Sequence, residues 1–419
     1  MSGSFSVPIR VVEGPAGVTA WHVEDASAPV VSLAWGWSGG ASLDPDGAEG
    51  AASVMAALLT EGAGDLPAAA FQDALRDEAV GLSFGAGRDD FGGDLRALTD
   101  ALPTATRLAR AAMLSPRFDA EAVARVRARA VAGARQALES PSGVARRAFW
   151  AEALPGSPYA RPAGGTPESL TALPVEAIRA AHARQVRRGG LLVASSGALS
   201  AAALSDLLHA LFGDLPPEPP AAAPAPPPFA LRGQVKVVPV DAPQSSVVFG
   251  HDAIGPRDPD WEAAGVAIRV LAGGGFTSRL MNAVRVERGL AYGIGAGVEP
   301  IAGRGVLTGS VATENGRVAE TMEVLRAEWR RMAESGPTGA ELADAVAFLT
   351  GSLPLSFTDS RRTAGMLLAL RRNDRPLDWL DGRAARLAAL TRERVAEVSR
   401  RLLDPAALGA VVAGRPVGL

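Results

Sequence analysis

An α+β fold built twice is the architecture this sequence predicts, and three observations predict it. A proline-rich segment divides the chain near its midpoint. The two parts echo one another in order. Each part alternates strand-like and helix-like periodicities.

The divider is Leu215 to Ala230, reading LPPEPPAAAPAPPPFA, in which eight of sixteen residues are proline. Proline fixes φ and removes a backbone donor, so this stretch is expected to be an extended, semi-rigid spacer without a core of its own. It leaves two domains, 1–214 and 231–419, each of a size that one hydrophobic core supports.

The internal echo begins with an apolar strand pattern, Val30 to Trp37 in the first part and Ser246 to Gly250 in the second. A DPD turn follows in each, Asp44-Pro45-Asp46 and Asp258-Pro259-Asp260, and opens a helical stretch. Next come Ala74-Leu75-Arg76 and Ala283-Val284-Arg285, which lead into the glycine-rich runs Gly81 to Gly87 and Gly289 to Gly295. Helices starting at Leu173 and Leu390 then run into apolar strands that close on Gly197 and Gly414. Matching positions are offset by 214, 209 and 217 residues, so one register holds across a whole half. Asp100–Arg147 and Asn315–Ala347 carry apolar residues at three- and four-residue steps, the spacing of amphipathic helices. Each half therefore reads as strand, helix, strand pair, long helices and strand, with the helices on one face of a mostly antiparallel sheet.

Composition narrows the function. At 47% apolar and 21% charged residues the chain is globular rather than disordered. A net charge of −3 gives no general attraction to nucleic acid. The absence of cysteine excludes disulfides, thiol nucleophiles and cysteine-held zinc or iron–sulfur clusters. No run approaches the ~18 apolar residues needed to span a bilayer, so no membrane partner is expected. The opening residues lack a basic and an apolar signal region, which points to the cytoplasm, or to the periplasm if the start is mis-annotated.

The segment Gly273-Gly274-Gly275-Phe276-Thr277-Ser278-Arg279-Leu280, then Arg285, then Arg288-Gly289-Leu290-Ala291-Tyr292, resembles the M16 metallopeptidases. That family includes mitochondrial processing peptidase, pitrilysin and insulin-degrading enzyme. Asp241-Ala242-Pro243-Gln244 and the ending Gly414 to Leu419 extend the resemblance over essentially the full chain. It implies two homologous halves of the LuxS/MPP-like metallohydrolase fold, and pairing of two such chains around a chamber. Active members carry H-x-x-E-H on the helix after the first strand, with two zinc ligands and a general base. In this chain the slot is Gly50-Ala51-Ala52-Ser53-Val54-Met55-Ala56-Ala57, so the three required positions fall on Ser53, Ala56 and Ala57. None of these residues serves as a zinc ligand or base. His22, His182, His209 and His251 offer no pair at three- or four-residue spacing. No cofactor is expected in this chain, and zinc is expected in a partner subunit that carries H-x-x-E-H.

The resemblance further implies that Arg285 and Tyr292 act in trans on the carbonyl of a peptide laid along a sheet edge, with Gly273, Gly274 and Gly275 sharing in substrate binding. The reading is thus the non-zinc subunit of a heterodimeric peptidase, with a catalytically inactive scaffold or peptide-binding protein as the alternative. Read as bare sequence, Arg285 is a surface helix residue, Tyr292 a core aromatic and the glycine run a turn at a helix start. The run lacks the G-x-x-x-x-G-K-[ST] ending of a phosphate loop. Gly36-Trp37-Ser38-Gly39-Gly40 matches G-x-S-x-G formally, but a loop rather than a helix follows the serine. His182 reads as a packed or surface residue and Glu61 as a solvated helix-end charge.

Overall fold

The computed structural model describes residues 5–273 and 275–419, arranged in two compact units. The first unit contains the described residues up to Arg135, with Pro162–Pro224 and Pro354–Asp381; the second contains Gln136–Arg161, Ala225–Leu353 and Gly382–Leu419.

In the first unit the strands are β1 (Arg10–Glu13), β2 (Thr19–Glu24), β3 (Val30–Ser38), β4 (Gly62–Ala63), β5 (Leu66–Pro67), β6 (Gly81–Ala86), β7 (Asp90–Leu98) and β8 (Leu192–Gly197). Six of them form one sheet in the order β1-β2-β8-β3-β7-β6, antiparallel except where β2 meets β8; β4 and β5 pair separately. The second unit holds β9 (Val235–Pro239), β10 (Gln244–Ala253), β11 (Ala291–Ile301), β12 (Arg304–Glu314) and β13 (Gly409–Gly414). Their order is β11-β12-β10-β13-β9, antiparallel except for β13 with β9. Each sheet therefore has an edge hairpin, β6–β7 or β11–β12, on one side and a parallel pair near the other.

Burial follows the apolar pattern. Trp35 and Trp37 of β3 are fully buried with Phe91, Met55 and Leu58 on the helix-covered face of the first sheet. Burying each such side chain contributes roughly 2–3 kcal/mol. On the second sheet, Phe249 and Trp329 meet edge to face at 5.9 Å. Beside them a Cβ on Gly309 of β12 would lie 2.4 Å from the Phe249 ring, so only glycine fits that close approach.

The units differ from the sequence halves 1–214 and 231–419 by a reciprocal exchange of one helix. Helix Pro141–Ala153 packs Ala145, Phe149, Trp150 and Ala153 onto Val248, Val411 and Ala413, on the second face of the second sheet. Helix Ser360–Arg372 lies against β3, β8 and β2 of the first sheet. There the Arg371 guanidinium donates to the Thr19 and Val193 carbonyls at 2.6 and 2.5 Å, and Ser32 and Ser360 hydroxyls meet at 2.9 Å. The physical reason is coverage: a sheet apolar on both faces needs a helix on its second face. The proline segment carries no helix or strand, yet it is not a free spacer. Within the second unit Phe229 is buried, and Arg304 donates to the Pro226 and Pro227 carbonyls at 3.1 and 2.9 Å.

The two DPD turns do different work. Asp44 is buried and its carboxylate accepts from the Gly50 and Ala52 amides at 3.1 Å, capping helix Ala51–Leu58. Asp258 and Asp260 instead accept from Arg401 at 3.0 and 2.7 Å, fastening helix Arg392–Leu402. Ser38 ends β3 and is followed by a short 3₁₀ turn, Gly40–Leu43, with the next α-helix beginning only at Ala51. That geometry removes the nucleophile-elbow reading.

Candidate functional site

The path to Arg285 and Tyr292 begins in the glycine turn. Gly274 lies outside the described residues. Gly273 ends the π-helical turn Arg269–Gly273, and Gly275 starts a 3₁₀ turn, Gly275–Thr277. A short helix, Arg279–Met281, then passes into a second π-helical turn, Asn282–Val286, which carries Arg285. Single π turns inside helical segments recur at functional sites because they re-aim side chains. Gly289 takes the left-handed conformation, φ 56°, and lets the chain turn sharply into β11.

This segment is tied down at several points. Arg279 is buried, and its fork meets Glu341 twice, Nε to Oε1 at 2.7 Å and Nη2 to Oε2 at 2.6 Å, while Nη2 also donates to the Gly336 carbonyl at 2.9 Å. Burial works to raise the Glu341 pKa, but the hydrogen bonds from Arg279 and the Thr338 amide outweigh it and hold the group down to about 2. Glu341 also completes a capping box with Thr338 at the start of helix Gly339–Gly351. Farther along, the Leu290 amide donates to the Val284 carbonyl at 2.7 Å, and Arg317 donates to the carbonyls of Gly289 and Arg288 at 3.1 Å each.

Arg285 and Tyr292 come together. The Arg285 guanidinium lies 4.3 Å from the centroid of the Tyr292 ring and 4.6 Å from that of Phe276. Such cation–π contacts hold an arginine in place while leaving its in-plane N–H groups unused. Arg285 is half-buried, and among the described residues it has no ion pair and its side chain makes no hydrogen bond. Tyr292 is 85% exposed, which overturns its reading as a core aromatic. The cause is a β-bulge: Ala291 pairs with Thr313 but Ile294 pairs with Val311, so β11 carries one extra residue at Tyr292–Gly293. β11 is also an edge strand, leaving one side of its backbone unpaired by the sheet.

The segment expected from the resemblance to correspond to the zinc motif lies on the helix Ala51–Leu58. Ser53 donates its hydroxyl to the Ala163 carbonyl at 2.8 Å, Ala56 is buried, and Ala57 is half-buried against the core. Among the described residues no three or more His, Cys, Asp or Glu side chains gather closely enough to hold a metal. Three of the histidines are committed elsewhere. His22 contacts the Ser195 hydroxyl and the Leu199 carbonyl, each at 2.8 Å. His182 donates to the Met113 carbonyl at 2.8 Å, and His251 accepts from Trp329 at 3.2 Å. Burial lowers the pKa of all three, so each packs as neutral imidazole. Glu61, expected as a solvated charge, is largely covered and pairs with Arg125 at 2.6 Å.

Sequence reasoning named the Arg/Tyr pair but gave no role to Phe276 or Arg279. Both stood inside the GGGFTSRL string. The first is the second face of the arginine clamp and the second anchors the turn. No described helix is long and apolar enough to cross a membrane.

Residues 172–349 match the family model described as the Peptidase M16 inactive domain. The non-peptidase homolog YmxG of Helicobacter pylori is 28% identical over 81% of this chain and 78% of its own length. An uncharacterized zinc protease of Streptomyces coelicolor is 28% identical over 58% of this chain and 54% of its own. Among solved structures, the peptidase M16 inactive domain from Pseudomonas fluorescens superposes with a TM-score of 0.92 at 26% identity, covering 98% of this chain and 99% of that one. A chain of complex III2 from Candida albicans shares the fold, with a TM-score of 0.79 at 15% identity over 97% of this chain and 96% of that one. The chain is thus similar to the M16 inactive domain, over residues 172–349 by the family model and over nearly its whole length by fold.

Proposed function

We propose that this chain is the non-zinc subunit of a two-chain M16 peptidase and presents Arg285 and Tyr292 to a peptide held at a partner's zinc site. The observation that carries this reading is the exposed phenol of Tyr292, displayed from an edge-strand bulge and braced by Arg285. Hydrolysis of a peptide bond builds negative charge on the carbonyl oxygen. A guanidinium and a phenol donate hydrogen bonds to that charge more strongly in the transition state than in the ground state. The partner, carrying H-x-x-E-H, supplies the zinc and the general base. The glycine turn beside Arg285, with Gly273 and Gly275 at its ends, gives the peptide backbone room to approach. The unpaired side of β11 supports strand addition as the mode of grip.

The test is cleavage of a quenched peptide by the co-purified pair of chains. Arg285→Ala and Tyr292→Phe are each expected to lower kcat by roughly 10²–10³ with little change in KM. Unchanged turnover in both variants, with the complex intact, would sink the role and leave the scaffold reading.

A further inference from the structure

The exposed large hydrophobic side chains of this protein include three aromatics: Phe276 at 63%, Tyr292 at 85% and Phe348 at 50% exposure. All three are ring partners of arginines that flank the glycine turn. Arg285 lies against Phe276 and Tyr292 on one side. On the other, Arg269 opens the π-helical turn that ends at Gly273, and its guanidinium sits 3.3 Å from the centroid of the Phe348 ring. Its side chain makes one long hydrogen bond, 3.5 Å from Nη1 to the Gly273 carbonyl, and no ion pair among the described residues. Arg279, on the same segment, is the contrast: its fork is filled by both oxygens of Glu341. The segment thus holds one arginine already satisfied by a carboxylate and two held against rings without one, Arg269 keeping a single long hydrogen bond and Arg285 none.

An arginine fixed against a ring has already lost much of its side-chain freedom, so pairing with a carboxylate costs less ordering. The planar fork matches a carboxylate with two parallel hydrogen bonds, and the neighbouring ring offers apolar surface to the group that carries it. We infer that Arg269 on Phe348 is a carboxylate-binding subsite on the segment that leads to Arg285 and Tyr292, so that this chain favours peptides presenting an acidic side chain or a free C-terminus there. This rests on reading Arg285 and Tyr292 as the substrate grip. Arg285 serves the carbonyl to be cut, and Arg269 reads a charge elsewhere on the same peptide.

Four fluorescent decapeptides test the inference by anisotropy with the full chain at low salt, where exposed charge pairs are least screened. They share one phenylalanine and differ in a central Asp or Asn and in a free or amidated C-terminus. The acidic member of one pair is expected to bind roughly tenfold more tightly than its neutral counterpart, the yield of a charge-assisted bidentate bond. Which pair shows the preference identifies side-chain or terminal carboxylate as the ligand. Arg269→Gln should abolish the preference, Arg269→Lys should keep part of it, and Phe348→Leu should weaken it. Equal binding of all four peptides, no binding of any, or a full preference surviving in Arg269→Gln overturns the subsite. The two readings fail separately. Lost cleavage in Arg285→Ala without carboxylate preference removes only the subsite, whereas preference through Arg269 with normal cleavage in Arg285→Ala removes only the catalytic role.

Discussion

Phe84 and Tyr292 stand at matching places in the edge hairpins of the two units, and their fates are opposite. Phe84 meets Trp35 edge to face at 5.8 Å and stacks near Phe91 at 6.5 Å, on a hairpin whose register runs unbroken from Gly81–Arg96 to Ala86–Phe91. Tyr292 sits on a hairpin interrupted by one extra residue and points into solvent. Side chains alternate faces along a strand, so a single inserted residue is enough to change where a ring points. The preceding arginines diverge in the same way. Arg76 pairs with Asp73 on an exposed helix surface, whereas Arg285 is clamped between two rings. The duplicated pattern supplied the parts, and a bulge turned one copy into a display.

The largest effect should come from the anchor that only the second unit has. Arg279→Met leaves Glu341 partly buried without its cation and is expected to cost about 3 kcal/mol, read from urea unfolding. A destabilisation under about 1 kcal/mol would mean that the π-turn segment stands without this pair. Next in size, Phe84→Ala is expected to cost about 2–3 kcal/mol, while Tyr292→Ala should stay within about 0.5 kcal/mol. Equal losses would contradict the claim that one ring is structural and the other displayed. Smallest and most gradual is the response to acid. His22 and His182 in the first unit and His251 in the second have pKa values below their ordinary 6.5 when folded. The unfolded chain therefore takes up protons first. Their contribution is fully present above about pH 6.5 and is lost as pH falls toward the folded values. Glu341, held at about 2, keeps its contribution above about pH 4.5 and gives it up only between there and about pH 2. Urea midpoints measured from pH 8 to pH 3 should fall first below 6.5. A flat profile down to pH 5 would contradict the neutral-histidine assignment.

Much of this was legible in the sequence. The order of strands and helices and the duplicated halves followed from periodicity, whereas the pair Arg285 and Tyr292 was singled out only by the family resemblance. The helix exchange did not. In helix Pro141–Ala153 the spacing of Ala145, Phe149 and Ala153 announces an apolar stripe, but a stripe does not say which sheet will receive it. The bulge was equally hidden, because a glycine-rich strand specifies register weakly. Glu61 was misread for a simpler reason: its partner Arg125 lies on a separate helix, and local sequence carries no trace of that pairing.

The exchanged helices also set an order of events for the nascent chain. Arg371 fastens to Thr19 across 352 residues of sequence, and Ser360 to Ser32 across 328. On the ribosome, the first sheet must wait, one face bare, until nearly the whole protein has been made. Contacts of that separation are slow to form and leave apolar surface open to wrong partners in the meantime. The first half synthesised alone is therefore an unfinished object.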